Sequence, residues 1–272
     1  MAKTAPTRAT PMAPALARGL EALEFLRGRA QGVSLSEAAE ALRFPKNSLL
    51  RLFATFEAFG YVERDSETLR YRITRRLATL SMDSARDRNL MEAALPAMRQ
   101  LRDRVNETVL VSILERGAGI VLEQVQSTHP FRFVCEPGTF EDLHSSASTK
   151  AIIAFLPADA RAALLKRHTF RRYTARTITG RAAYARELAA IAARGYATDR
   201  GEQGDGVFCA AAPIFDRTGF PLASLTVTGP AERFERLGFA AMGDAVMNSA
   251  HAVSSLLGYV KRSSTPTRRR SP

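Results

Sequence analysis

The chain has 272 residues, 46% hydrophobic and 24% charged, the composition of a folded globular protein with one large domain or two ordinary ones. A formal net charge of +12 favours phosphate-bearing partners, while no apolar run nears the roughly 20 residues that span a bilayer and residues 1–19 lack the apolar core of a secretory signal. Cys135 and Cys209 are too few for a disulfide framework or a four-cysteine zinc site, which fits a reducing cytoplasm.

The charge sits at the ends. Residues 1–76 carry 13 Lys/Arg against 8 Asp/Glu, and the tail KRSSTPTRRRSP carries five Lys/Arg and no acid. Residues 1–14, rich in Pro, Thr and Ala, and the tail 261–272 are expected to be disordered. Ala15–Arg29 reads as a helix with Leu16, Leu20, Leu23 and Leu26 on one side. A short helix follows, with Ser36 as N-cap, Glu37 in its first turn, and Leu35, Ala38, Ala39 and Leu42 inward.

After only Arg43 and Phe44 comes a second helix, Pro45–Gly60. Leu49, Leu52, Phe53, Phe56 and Phe59 make its apolar stripe, and Lys46, Asn47, Ser48 and Arg51 occupy the other face. Pro45 suits the first helical position and Gly60 the stop. Tyr61-Val62 and then Leu69, Tyr71 and Ile73 alternate as two short strands around Asp65–Thr68, with Arg70 and Arg72 on the opposite face. Helix, turn, helix and basic hairpin make a winged helix–turn–helix over 15–74, a module that lays its second helix in a DNA major groove. Lys46, Asn47 and Arg51 are placed for base edges, since Arg pairs bidentately with guanine and Asn with adenine. Ser36, Ser48, Arg64, Arg70 and Arg72 are placed for phosphates. The competing role for Arg51 is an ion pair with Glu57. A single winged helix makes few contacts, so a dimer on a near-palindromic double-stranded site is expected.

A linker helix is expected over 75–88, and a second domain over 89–260. Leu90, Ala94, Met98, Leu101 and Val105 continue a helical stripe, with Pro96 inside it or just after a break near Arg88. From Thr108 the period becomes alternating. Two strands meet at Gly117-Ala118-Gly119, FRFVCEPG reads as another strand, and VFCAAAPIF and PLASLTVTG pair across Asp216–Gly219. Helices are expected at 147–156, 157–167, 184–194 and 239–257. The fold class is therefore α+β, with a mostly antiparallel sheet flanked by helices.

These segments carry a resemblance. ALARGLEALEFL, LSEAAEALRFPKNSLLRLFATFEAFGYV, LHSSASTKAIIAFLP, TARTIT, ELAAIAARGYATDRGE, GVFCAAAPIFDRTG and LTVTGP, in this order over nearly all of 15–258, resemble the IclR family of bacterial transcriptional regulators. The resemblance implies a winged helix–turn–helix, a linker helix and a GAF-like effector-binding domain, working as a homodimer or homotetramer on operator DNA. Carried over residue by residue, the effector pocket would comprise Phe133, Ala147, Ser148, Asp199, Cys209, Thr226 and Thr228. Hydroxyls and the backbone N–H groups opening the Ala147 helix would form a polar cup for a small organic or sugar-derived acid. Two departures bear on this pocket: Thr149 stands where the family commonly has glycine, and Gly201-Glu202 replaces an acidic pair.

Catalysis is not expected. His129, His144, His168 and His251 form no H-x-x-x-H or H-E-x-x-H pair, and Gly201, Gly204 and Gly206 do not spell G-x-G-x-x-G. No metal site or cofactor is expected. Cys209 lies in an apolar strand and would sense oxidants only as an exposed thiolate. The competing reading is a cytosolic small-molecule sensor or enzyme whose winged helix serves protein–protein contact. The expected location is the cytoplasm, on the nucleoid, with no membrane partner.

Overall fold

The computed structural model describes residues 13–29, 31–74, 76–77 and 85–260, so residues 1–12 of the expected N-terminal tail, the C-terminal tail and most of the expected linker lie outside the described residues, while Pro14, expected in the tail, already opens a helix. The chain divides into two compact units at Ala85/Arg86.

The first unit is built from α1 (Pro14–Leu26), α2 (Leu35–Leu42), α3 (Lys46–Ala58) and the hairpin β1 (Val62–Arg64) and β2 (Tyr71–Ile73). Its core gathers Ala22, Leu26, Val33, Ala38, Ala39, Leu49, Phe53, Val62 and Tyr71. Here α1 turns differently from the leucine periodicity. Leu16 and Leu20 are 63% and 54% exposed, while Gly19 and Ala22 face inward. The small side wins because a β-carbon at Gly19 would already stand 3.1 Å from the Phe56 ring, so bulkier residues cannot reach the contact.

Ser34, not Ser36, caps α2. The Ser34 hydroxyl accepts from the Glu37 backbone N–H at 3.2 Å, and the Glu37 carboxylate accepts from the Ser34 N–H at 2.8 Å, a reciprocal capping box. Ser36 sits exposed within the first turn. Pro45 is the N-cap of α3 and not its first helical residue, and Phe59 caps its other end at 61% exposure, off the buried stripe. Leu69 also leaves its expected face. It takes a left-handed φ of 57° in the turn and is exposed, because the Asp65 carboxylate binds the Glu67 and Thr68 N–H groups and ends the strand early.

The second unit opens with α4 (Ala85–Val105), which runs through Pro96 with no break near Arg88. Leu90 and Ala94 before the proline, and Met98 and Leu101 after it, are all buried against the sheet, and that anchoring holds the helix together. Six antiparallel strands follow: β3 (Thr108–Glu115), β4 (Ala118–Val125), β5 (Phe140–Glu141), β6 (Ala197–Arg200), β7 (Val207–Phe215) and β8 (Pro221–Pro230), in spatial order β5-β4-β3-β8-β7-β6. Between them lie α5 (Ala147–Ile153), α6 (Ala158–Leu165) and α7 (Arg181–Arg194), and at the end α8 (Ala231–Leu237) and α9 (Phe239–Leu256). Helices α4 and α9 cover one sheet face over Val109, Val111, Ala210, Ile214, Leu225 and Val227. Helices α5 and α7 contribute Ala147, Ala151, Tyr184, Leu188 and Ile191 to a second core with Ala211. Because both faces are covered, β7 and β8 read as near-continuous apolar runs.

Three expectations shift. The β3–β4 turn is the pair Arg116-Gly117, both at positive φ, so Gly119 lies inside β4 opposite Leu114. FRFVCEPG is not a strand: Phe131, Phe133 and Val134 are exposed, the Cys135 N–H donates to the Gln124 side chain, and β5 supplies the edge pairing instead. Strand β6 and helix α8 had no counterpart in the sequence reading. Among the described residues no helix is long and apolar enough to cross a membrane.

Candidate functional site

Two groups of side chains stand out. On α3, the residues Lys46, Asn47 and Arg51 are exposed and Ser48 is half-buried, on the face opposite the buried Leu49 and Phe53. Thr55 donates to the Arg51 carbonyl, but among the described residues the Lys46, Asn47 and Arg51 side chains have no hydrogen bond or ion pair, and Arg51 does not reach Glu57. In the wing, Arg64 lies 5.5 Å from the Tyr71 ring centroid, and Arg72 pairs with Glu63 across the hairpin at 2.5 Å. Arg70 is spent inside the module, on the Gly32 carbonyl and the Glu37 carboxylate. Glu37 thus caps α2 and holds the wing with one carboxylate.

The second group lies in the other unit, where the pleat of β8 puts Ser224, Thr226 and Thr228 on the face toward α5. Thr226 donates to the Ser148 hydroxyl at 3.0 Å, and Ser148 donates to Glu141 Oε1 at 2.7 Å, which also accepts from Ser146. Across the strand, the Cys209 thiol donates to the Thr228 hydroxyl at 3.2 Å. Asp199 pairs in register with Cys209 and accepts from the Glu202 N–H, and Glu202 meets the fully buried Lys150 ammonium at 2.6 Å. The TARTIT segment fixes this loop, with Thr174 and Thr177 donating to the carbonyls of Gly201 and Glu202.

Long-range pairing therefore brings together Ala147, Ser148, Asp199, Cys209, Thr226 and Thr228. Phe133 stands apart, partly exposed. Its carbonyl accepts from Thr108, the residue paired with Thr228. Sequence reasoning missed Glu141, Ser146, Lys150 and Glu202. Lys150 lies within the LHSSASTKA segment and Glu202 two residues past β6, so the signal was there, but only pairing across 52 residues shows their use. Thr149 is directed away from the cup: its hydroxyl donates to the Asp142 and Ser146 carbonyls, and its methyl occupies the space where Gly119 lacks a β-carbon.

The cup is rich in carboxylates. Burial pushes Asp199 up to about 6, against the backbone N–H groups and Lys150 that pull it down. Burial likewise raises Glu202, outweighing its bond to Lys150. Among the described residues, Oε2 of Glu141 and of Glu202 are buried without a partner, as are the hydroxyls of Ser112 and Ser224, which face each other across β3 and β8. At the start of α5 the Ser146 and Ser148 hydroxyls are already committed to the Glu141 carboxylate. Burial drives the Cys209 thiol well above its ordinary range, which denies it the exposed thiolate a redox sensor needs.

A DNA-reading helix and a buried polar cup on one polypeptide define a regulator that carries its own sensor. Comparison with known proteins agrees: residues 15–66 match the IclR helix-turn-helix domain, and residues 82–255 match the bacterial transcriptional regulator IclR C-terminal domain. The chain is 34% identical to the HTH-type transcriptional regulator BhcR of Paracoccus denitrificans, over 88% of this chain and 86% of that one. It is 30% identical to the transcriptional repressor IclR of Escherichia coli, over 94% and 93%. The Thermotoga maritima IclR crystal structure superposes with a TM-score of 0.76 at 30% identity, covering 90% of this chain and 98% of that one. An IclR homolog from Microbacterium hydrocarbonoxydans, complexed with 4-hydroxybenzoate, shares the fold at a TM-score of 0.75 and 21% identity, over 89% and 98%. The chain belongs to the IclR family and is a helix–turn–helix transcriptional regulator, not an enzyme.

Proposed function

We propose that Lys46, Asn47 and Arg51 read base edges of operator DNA while Ser36, Ser48, Arg64 and Arg72 hold phosphates. One observation carries this: the α3 polar face is exposed with its side chains unspent among the described residues. Arg70 acts at one remove, by holding the wing to α2. The protein works as a homodimer or homotetramer in the cytoplasm, because one module makes too few contacts to select a site alone.

The effector is a small organic acid that also carries hydroxyl groups, of the sugar-acid or hydroxybenzoate kind. Ligand hydroxyls would donate to the partnerless oxygens of Glu141 and Glu202, and the hydroxyls of Thr226, Thr228 and Ser148 would receive its remaining polar atoms. The relative with 4-hydroxybenzoate bound supports this class. Binding in the cup would favour one placement of the paired winged helices over another, and a coupling of about 1–3 kcal/mol shifts operator occupancy by roughly 5- to 150-fold.

A gel shift on the labelled upstream fragment tests the DNA face. Arg51→Ala should lose about 1–3 kcal/mol of sequence discrimination. Arg72→Ala should weaken binding to all sequences and lower the salt slope by about 1. Unchanged binding in both variants would reject the assignment. For the cup, 4-hydroxybenzoate and a series of sugar acids are screened for a rise in melting temperature, which must shrink in Thr228→Val.

A further inference from the structure

Beside the cup, three ligand-type atoms converge: Asp142 Oδ1, His144 Nδ1 and His168 Nε2 lie within 4.8 Å of one another. His144 Nδ1 is 2.6 Å from Asp142 Oδ1 and 2.8 Å from His168 Nε2. The other nitrogen of that ring, Nε2, is 2.9 Å from the Arg171 carbonyl, which only accepts, so Nε2 carries the proton. The His144 ring, with no exposed surface, turns its Nδ1 toward both Asp142 Oδ1 and His168 Nε2. A divalent cation satisfies all three together.

We propose that Asp142, His144 and His168 form a binding site for a zinc-class divalent cation. Two imidazoles and a carboxylate are a zinc donor set, with the fourth position left for water. The outer bonds that orient metal-bound groups are already made. The Arg171 carbonyl holds His144, the His144 and Ser145 N–H groups donate to Asp142 Oδ1, and the Tyr173 hydroxyl donates to Oδ2 at 2.9 Å. Metal–ligand bonds of about 2.0–2.1 Å set ligand atoms roughly 3.3 Å apart, so the two close pairs on His144 Nδ1 open by about 0.5–0.7 Å to admit the ion. His168 lies between α6 and α7, outside any helix or strand, where such a shift leaves the sheet intact. Glu141 immediately precedes Asp142, and Ser146 closes the same turn, so the ion would clamp the 168–173 segment onto the rim of the cup.

The test uses full-length protein stripped with chelator and titrated with Co²⁺. Wild type should develop visible ligand-field bands that saturate at one ion per chain and vanish on adding Zn²⁺. His168→Gln should weaken Co²⁺ binding on the order of 100-fold or more, as expected for losing a direct ligand when outer partners alone are worth 10- to 100-fold. Zn²⁺ should also raise the melting temperature of wild type and not of His168→Gln, while His251→Gln behaves as wild type. No one-to-one Co²⁺ spectrum in wild type, or full binding in a folded His168→Gln, overturns the proposal and leaves a proton-bridged histidine pair.

Discussion

The two units solve opposite problems with polar side chains. In the first, Lys46, Asn47 and Arg51 project from a short, self-consistent helix with no partner among the described residues. In the second, Glu141, Ser148 and Thr226 form one buried set of bonded groups and Lys150, Asp199 and Glu202 another, joined across up to 78 residues of chain. The difference teaches that an exposed polar face costs the fold little, whereas a buried polar cup is part of what holds its unit together. Mutations at the two should therefore differ in kind.

Glu202→Ala gives the sharpest contrast. It leaves the fully buried Lys150 ammonium without its carboxylate, which costs about 3–5 kcal/mol, read from urea unfolding. A loss below 1 kcal/mol would mean that water reaches Lys150 and that the cup is no structural element.

The pH dependence comes next. Asp199 sits at about 6 in the folded protein, above its ordinary value, so between about pH 4 and 6 the native state binds more protons than the unfolded chain. Its stabilising contribution is complete below pH 4 and is lost as pH rises through 6, on the order of 3 kcal/mol in all. Asp199→Asn should flatten that part of the stability profile. A slope that survives the substitution assigns it elsewhere.

A smaller effect tests the packing beneath the cup. A β-carbon at position 119 would lie 2.4 Å from the Thr149 methyl, so Gly119→Ala should destabilise by about 1–3 kcal/mol. Adding Thr149→Ala should recover most of it, and plain additivity would show that the two positions do not compete for the same space.

The smallest effect falls in the first unit. Ser34→Ala removes half of the capping box and should cost about 1 kcal/mol by thermal denaturation, whereas Ser36→Ala should stay within about 0.5 kcal/mol. Equal effects would return the cap to Ser36.

Legibility followed the range of the interactions. The amphipathic period of α3 and the alternation of β7 and β8 are local, so the sequence showed the winged helix–turn–helix, the antiparallel sheet and most helices. It erred where neighbours compete for one place. Ser34 and Ser36 offer the same hydroxyl two residues apart, and only the position of Glu37 three residues after Ser34 decides between them. Leucines at 16 and 20 look like core, but the tight α1–α3 contact at Gly19 selects the small side.

The cup was legible only through resemblance, and only in part. By itself the sequence determined the class of most segments and which face of α3 is polar, because those depend on residues a turn or a strand apart. Tertiary structure alone decided that Lys150 meets Glu202, that Arg70 serves the wing, and that His144 meets His168. Such pairings are set by how helices close on the sheet, and no spacing along the chain encodes them.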